Sequence, residues 1–113
     1  MSSDEVKVVR VSRAAGHSHE ASEEENSEHR EAGRKLLHSI LTEMMDQPDH
    51  ISVTYSVGER TTIYKVDCHP KSLGQLIGSK GKNISGIRAV IAAVMARKGI
   101  RAIIEIPYIE PHG

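Results

Sequence analysis

Phenylalanine and tryptophan are missing from this chain, and aromatic rings come only from Tyr55, Tyr64 and Tyr108. That scarcity excludes a nucleic-acid module built on an aromatic stacking platform, such as an RRM. Cysteine occurs once, as Cys68, which excludes an internal disulfide and suits a reducing compartment. The longest unbroken apolar run, Ala89 to Ala96, falls far short of the roughly 20 residues needed to span a bilayer as a helix. Asp4 and Glu5 stand where a secretory signal would be basic. Net charge is absent too, since 15 basic side chains balance 15 acidic ones. The expectation is a small, soluble, cytoplasmic protein with no membrane contact, and 113 residues suit a single folded domain.

The zero total conceals a division. Residues 1–50 hold 11 acidic and 6 basic groups, a net of −5, and residues 51–113 carry the opposite excess. Between 69 and 101, Lys71, Lys80, Lys82, Arg88, Arg97, Lys98 and Arg101 occur without a single acid. Segregation of this kind points to a polyanionic partner for the basic half, the alternative being a solvated helix face.

The pattern along the chain predicts an α+β domain. Residues 1–27 read as a flexible, acidic extension, with a short edge strand open to Val6–Val11 and a polar, glycine-interrupted stretch from Ser12 to Ser22. His17 and His19 lack further ligands at a workable spacing, so no metal is expected there. A helix is predicted from Glu28 to Asp46, capped by Ser27, with Leu37, Ile40, Leu41 and Met44 forming its apolar stripe. Ile51, Val53, Tyr55 and Val57 alternate with polar residues, and Tyr64, Val66 and Cys68 repeat the alternation after Gly58-Glu59-Arg60, which is an antiparallel hairpin. Pro70 opens a short helix to Ile77. A longer helix runs from Lys82 to Lys98, burying Ile84, Ile87, Ile91, Val94 and Met95, and Ile100–Ile106 form the last strand. The order α-β-β-α-α-β requires a helical crossover, so the third strand runs parallel to the second in a three-stranded mixed sheet with helices on one face.

Gly78-Ser79-Lys80-Gly81 separates the two later helices. Glycines allow a ligand's backbone to come close, the following helix start offers N–H groups, and Lys80 and Lys82 bring full charges, so the segment suits phosphates. A P-loop is excluded because Gly81-Lys82 is followed by Asn83 and Leu76 stands where its first glycine belongs. A dinucleotide fingerprint fails because Gly78 and Gly81 are too far apart. Leu76, Ile77, Ile84 and Ile87 bracket the loop with aliphatic surface.

Leu76-Ile77-Gly78-Ser79-Lys80-Gly81-Lys82-Asn83-Ile84 resembles the (V/I)-I-G-x-x-G-x-x-I signature of KH domains. Together with the element order, it resembles the type II, bacterial KH fold, and residues from about 31 to 107 are similar to the small bacterial single-KH proteins of the KhpA type. On that resemblance, 28–107 form the KH domain and 108–113 a short tail. The resemblance implies single-stranded RNA binding, with Gly78, Ser79, Lys80 and Gly81 clamping the backbone of about four nucleotides. Lys82 is a further charge partner, Ile77 and Ile84 floor a base groove, Ile87 contributes less directly, and Arg88 extends the path; Lys71 is a weaker partner. It also implies a homodimer, or a heteromer with a larger KH-containing protein, and a role as an RNA chaperone or post-transcriptional regulator linked to bacterial cell elongation. The N-terminal extension departs from the short family members, leaving two roles open: covering the basic face as an RNA mimic, or adding a strand.

Two other readings set themselves against this one. Ala89, Ala92, Ala93 and Ala96 suit a close-packing interface, which would make the fold a dimerisation scaffold without RNA binding. An enzyme is not expected: Cys68 and His69 are strand neighbours pointing to opposite faces, no paired carboxylates stand near the basic loop, and no cofactor is implied.

Overall fold

The computed structural model describes residues 22–107. The expected strand at Val6–Val11, the His17/His19 pair, Tyr108 and the tail lie outside them.

Helix α1 spans Glu23–Met44 and begins five residues before the expected start. The Ser22 hydroxyl accepts from the Glu25 N–H at 3.0 Å and the Glu25 carboxylate accepts from the Ser22 N–H at 3.1 Å, a reciprocal capping box. Glu23, Glu24 and Glu25 fill the first turn, where the helix dipole favours negative charge. Ser27 is therefore inside the helix rather than its cap, and part of the segment expected to be flexible is ordered as helix. The helix stops at Met45, whose backbone is extended, and Pro48 opens a single 3-10 turn to His50.

Strands β1 (Ser52–Val57) and β2 (Thr61–Asp67) form the antiparallel hairpin, with Val53 opposite Val66 and Tyr55 opposite Tyr64. A 3-10 turn at Pro70–Ser72 leads into α2 (Leu73–Ile77), and after the loop α3 runs from Lys82 to Ala96. Strand β3 (Arg101–Glu105) returns parallel to β2, giving the sheet order β1-β2-β3. The α+β, mixed three-stranded architecture expected from the sequence is what the structure has.

All three helices cover one face of the sheet. Leu37 and Leu41 of α1, Leu76 of α2, Ile91 and Met95 of α3 and Tyr64 and Val66 of β2 are almost fully buried in one core. Burying side chains of this size stabilises by about 2 kcal/mol each. The opposite face carries Ser52, Thr54, Lys65, Asp67, Arg101 and Glu105, all exposed. Val57, expected to face inward, is 52 % exposed. It sits at the turn end of the hairpin, where its partner Thr62 is covered by Arg30, whose Nε donates to Thr62 Oγ1 at 3.0 Å, rather than by apolar side chains.

Helix α1 approaches the sheet closely at Gly33. A β-carbon there would lie 2.7 Å from Met95 Sδ and 3.2 Å from Tyr64 Cζ, and would overlap Tyr64 Oη. Tyr64 Oη donates to the Arg30 carbonyl at 2.8 Å, and its ring meets that of Tyr55 edge-on at 5.9 Å. Cys68 is half-buried at the end of the hairpin and packs against the core, and burial pushes its thiol pKa up. His69 Nδ1 accepts from the Lys71 N–H and its ring meets His50, so neither interaction pairs it with Cys68.

Candidate functional site

Helix α2 lasts only five residues because Gly78 leaves the helical region: its φ is 80° and ψ 170°, with its N–H still bonded to the Gly74 carbonyl at 2.8 Å. Ser79–Gly81 then make one 3-10 turn, closed by the Gly81 N–H on the Gly78 carbonyl at 3.0 Å. Within it Lys80 (φ 57°) and Gly81 (φ 75°) are both left-handed, and Lys80 is the one non-glycine with positive φ among the described residues. Such a conformation is uncommon for a residue with a β-carbon and costs on the order of 1 kcal/mol. It turns the chain so that Ser79, Lys80 and Lys82 are all exposed at the start of α3.

Two kinds of donor are left free there. The backbone N–H groups of Ser79 and Lys80 meet no acceptor among the described residues. Ion pairs within those residues are confined to α1, as Arg30–Glu23 and Arg34–Glu31, so Lys80 and Lys82 have no ion-pair partner among them. Two amides and two ammonium groups on a protruding turn form a seat for an anion with several oxygens.

The apolar residues expected beside the loop divide. Ile77 is half-buried at its entrance. Ile84 and Ile87 are 6 % and 5 % exposed and belong to the core, because α3 must turn this face inward to cover the sheet. Neither offers the open groove floor that the sequence suggested for Ile84. Arg88 is drawn to β3, where Nη2 donates to the Ile104 carbonyl at 3.2 Å on a strand that has a neighbour on one side only. It lines a shallow groove between α3 and β3 with Ala92, Ala102, Ile103 and Ile104. Lys71 lies apart, in the turn before α2.

Sequence reasoning overlooked two side chains. Asn83 Nδ2 donates to the Gln75 carbonyl at 2.9 Å, and the Gln75 side chain accepts from the Asp46 N–H at 3.0 Å. Together they tie the start of α3 and the end of the α1 segment to α2. The available signal was the polar residue immediately after Gly-Lys, on a face with no apolar role.

A glycine-bounded turn joining two helices, in an α-β-β-α-α-β chain with a mixed three-stranded sheet, defines a type II KH domain. Residues 34–106 match the family model described as "KhpA/KhpB, KH domain", and the chain belongs to that family. It is not a family of enzymes. Over 73 residues, 65 % of this chain, it is 32 % identical to the RNA-binding protein KhpA of Clostridium acetobutylicum, covering 97 % of that protein. The RNA-binding protein KhpA of Aquifex aeolicus is 31 % identical over 73 residues, with 92 % of it covered, and that of Clostridium perfringens 26 % identical with 97 % covered. The first eleven residues of α1 precede the family match. Among the described residues no helix is long and apolar enough to cross a membrane, and no group of three or more His, Cys, Asp or Glu could hold a metal ion.

Proposed function

We propose that this chain binds RNA, as its relatives are named for doing, that the RNA is single-stranded, and that the Gly78–Gly81 turn grips its sugar–phosphate backbone. The observation that carries the reading is the combination, on one exposed, left-handed turn, of the Ser79 and Lys80 amides with the Lys80 and Lys82 side chains, none of which has a partner among the described residues. The amides donate to phosphate oxygens, the ammonium groups neutralise adjacent phosphates, and the two glycines keep side chains out of the strand's path. Ile77 offers aliphatic surface to an unstacked base, and Arg88 continues the path along α3 and β3. About four nucleotides fill such a site. With about three phosphates neutralised and no aromatic stacking, one domain binds in the micromolar range with little sequence preference, about −8 kcal/mol. Pairing with a second copy, or with a larger KH-containing protein, would raise the working affinity by linking sites. A cytoplasmic role as an RNA chaperone or post-transcriptional regulator linked to cell elongation rests on the family resemblance.

The test is fluorescence polarisation of a labelled single-stranded RNA with the Ser79→Asp/Lys80→Asp double variant. Both positions are exposed, and aspartate tolerates the left-handed conformation of residue 80, so the fold is retained while binding is abolished. Undiminished binding would remove the turn from the mechanism.

One observation favours a second reading, a protein-interaction module. Ala89, Ala92, Ala93 and Ala96 are all exposed on α3 and Val90 beside them is 49 % exposed, a surface on which another helix could pack closely. A complex in size-exclusion chromatography that forms without nucleic acid, from a protein that shifts no RNA, favours that reading.

A further inference from the structure

The free Ser79 amide has a structural cause. In a helix continued past Ile77, the Ser79 N–H would donate to the carbonyl four residues earlier, that of Gln75. That carbonyl is instead occupied by the Asn83 side chain, at 2.9 Å. The carboxamide reaches it by passing over Gly78: a β-carbon at residue 78 would fall 2.6 Å from Asn83 Cγ and 2.8 Å from both Asn83 Cβ and Nδ2. The first glycine of the turn thus leaves space for Asn83 as well as permitting a φ of 80°.

We infer that Asn83 is a positioning residue for RNA binding: its carboxamide substitutes for the Ser79 N–H on the Gln75 carbonyl and so holds that N–H outward for a phosphate. This rests on the RNA reading above and adds a residue to it. Asn83 touches no ligand in this account; it acts through Gln75 and Gly78. The Gln75 side chain, bonded to the Asp46 N–H at 3.0 Å, keeps the accepting carbonyl in place from the other side.

The experiment pairs NMR of the RNA-free protein with RNA titrations, on wild type and Asn83→Ala. In wild type the Ser79 amide is unprotected and exchanges quickly. In the variant the Gln75 carbonyl is vacated and the Ser79 N–H closes on it, so its hydrogen exchange slows several-fold and its proton resonance moves downfield. Affinity for a single-stranded decanucleotide falls about ten-fold, the loss expected when one charge-assisted hydrogen bond is withdrawn. A merely structural role would lower the melting temperature without protecting Ser79. An unprotected Ser79 amide in Asn83→Ala, or RNA binding equal to wild type, overturns the assignment of Asn83 and leaves the RNA site standing. Failure of the wild-type protein itself to bind the decanucleotide overturns the RNA site, and the role of Asn83 with it.

Discussion

Gly33→Ala separates what helix propensity favours from what packing demands. In an exposed helix this change stabilises by about 1 kcal/mol. Here the new methyl group would fall on the Tyr64 hydroxyl and 2.7 Å from Met95 Sδ, both side chains fully buried. To make room, either α1 lifts from the sheet or Tyr64 Oη leaves the Arg30 carbonyl that it now meets at 2.8 Å. Overpacking costs about 2 kcal/mol and the lost hydrogen bond about 1 kcal/mol. After the propensity gain, the net loss is about 2 kcal/mol, a fall of roughly 10 °C in Tm for a domain of this size. Urea and thermal unfolding followed by circular dichroism measure it. Adding Tyr64→Phe removes the overlapping oxygen and recovers part of the loss, so the two changes combine non-additively. A Gly33→Ala protein as stable as wild type would refute the close approach of α1 to Tyr64.

Two further outcomes follow from the charges and the core. With about three phosphates neutralised, the log–log salt slope for RNA affinity is roughly −2, so binding measured by polarisation weakens about twenty-fold between 50 and 200 mM salt; a flat response would exclude a phosphate-directed site. Burial holds the Tyr64 hydroxyl pKa up at about 12, above the ordinary tyrosine value of 10.0. The folded protein therefore keeps a proton that the unfolded chain releases, so stability is undiminished below pH 10 and falls as pH rises from 10 towards 12, by about 2 kcal/mol. Urea unfolding across that range should show the decline in wild type, and a smaller one in Tyr64→Phe.

Much of the architecture can be read from residue periodicity. The alternation through Val53, Tyr55, Tyr64 and Val66 requires a half-buried hairpin, and the two helices after Pro70 leave a parallel return as the right-handed solution for the last strand. The start of α1 was less legible because its first turns, Glu23 to Arg30, have no apolar stripe; only the Ser22/Glu25 spacing marks them. At the candidate site, residue types revealed the turn, whereas the fates of its neighbours depended on packing. Ile84 and Ile87 are claimed by the sheet below them, and Arg88 by an exposed strand edge. Asn83 was legible as part of a motif and not as a hydrogen-bond partner, since its acceptor lies across a turn whose shape residue spacing does not encode.

The capping box at Ser22 carries a consequence for how the molecule presents itself to a polyanion. His29 feels Glu25 and Glu28 on its own helix and Lys98 just past the end of α3, so the acidic beginning of α1 lies by the far end of that helix. Fifteen residues of α3, about 22 Å, separate it from Lys80 and Lys82. At 0.15 M salt the screening distance is about 8 Å, and the two poles act independently. At 0.01 M it is about 30 Å, longer than the helix, and a polyanion at Lys80 and Lys82 also feels the charges gathered around the start of α1.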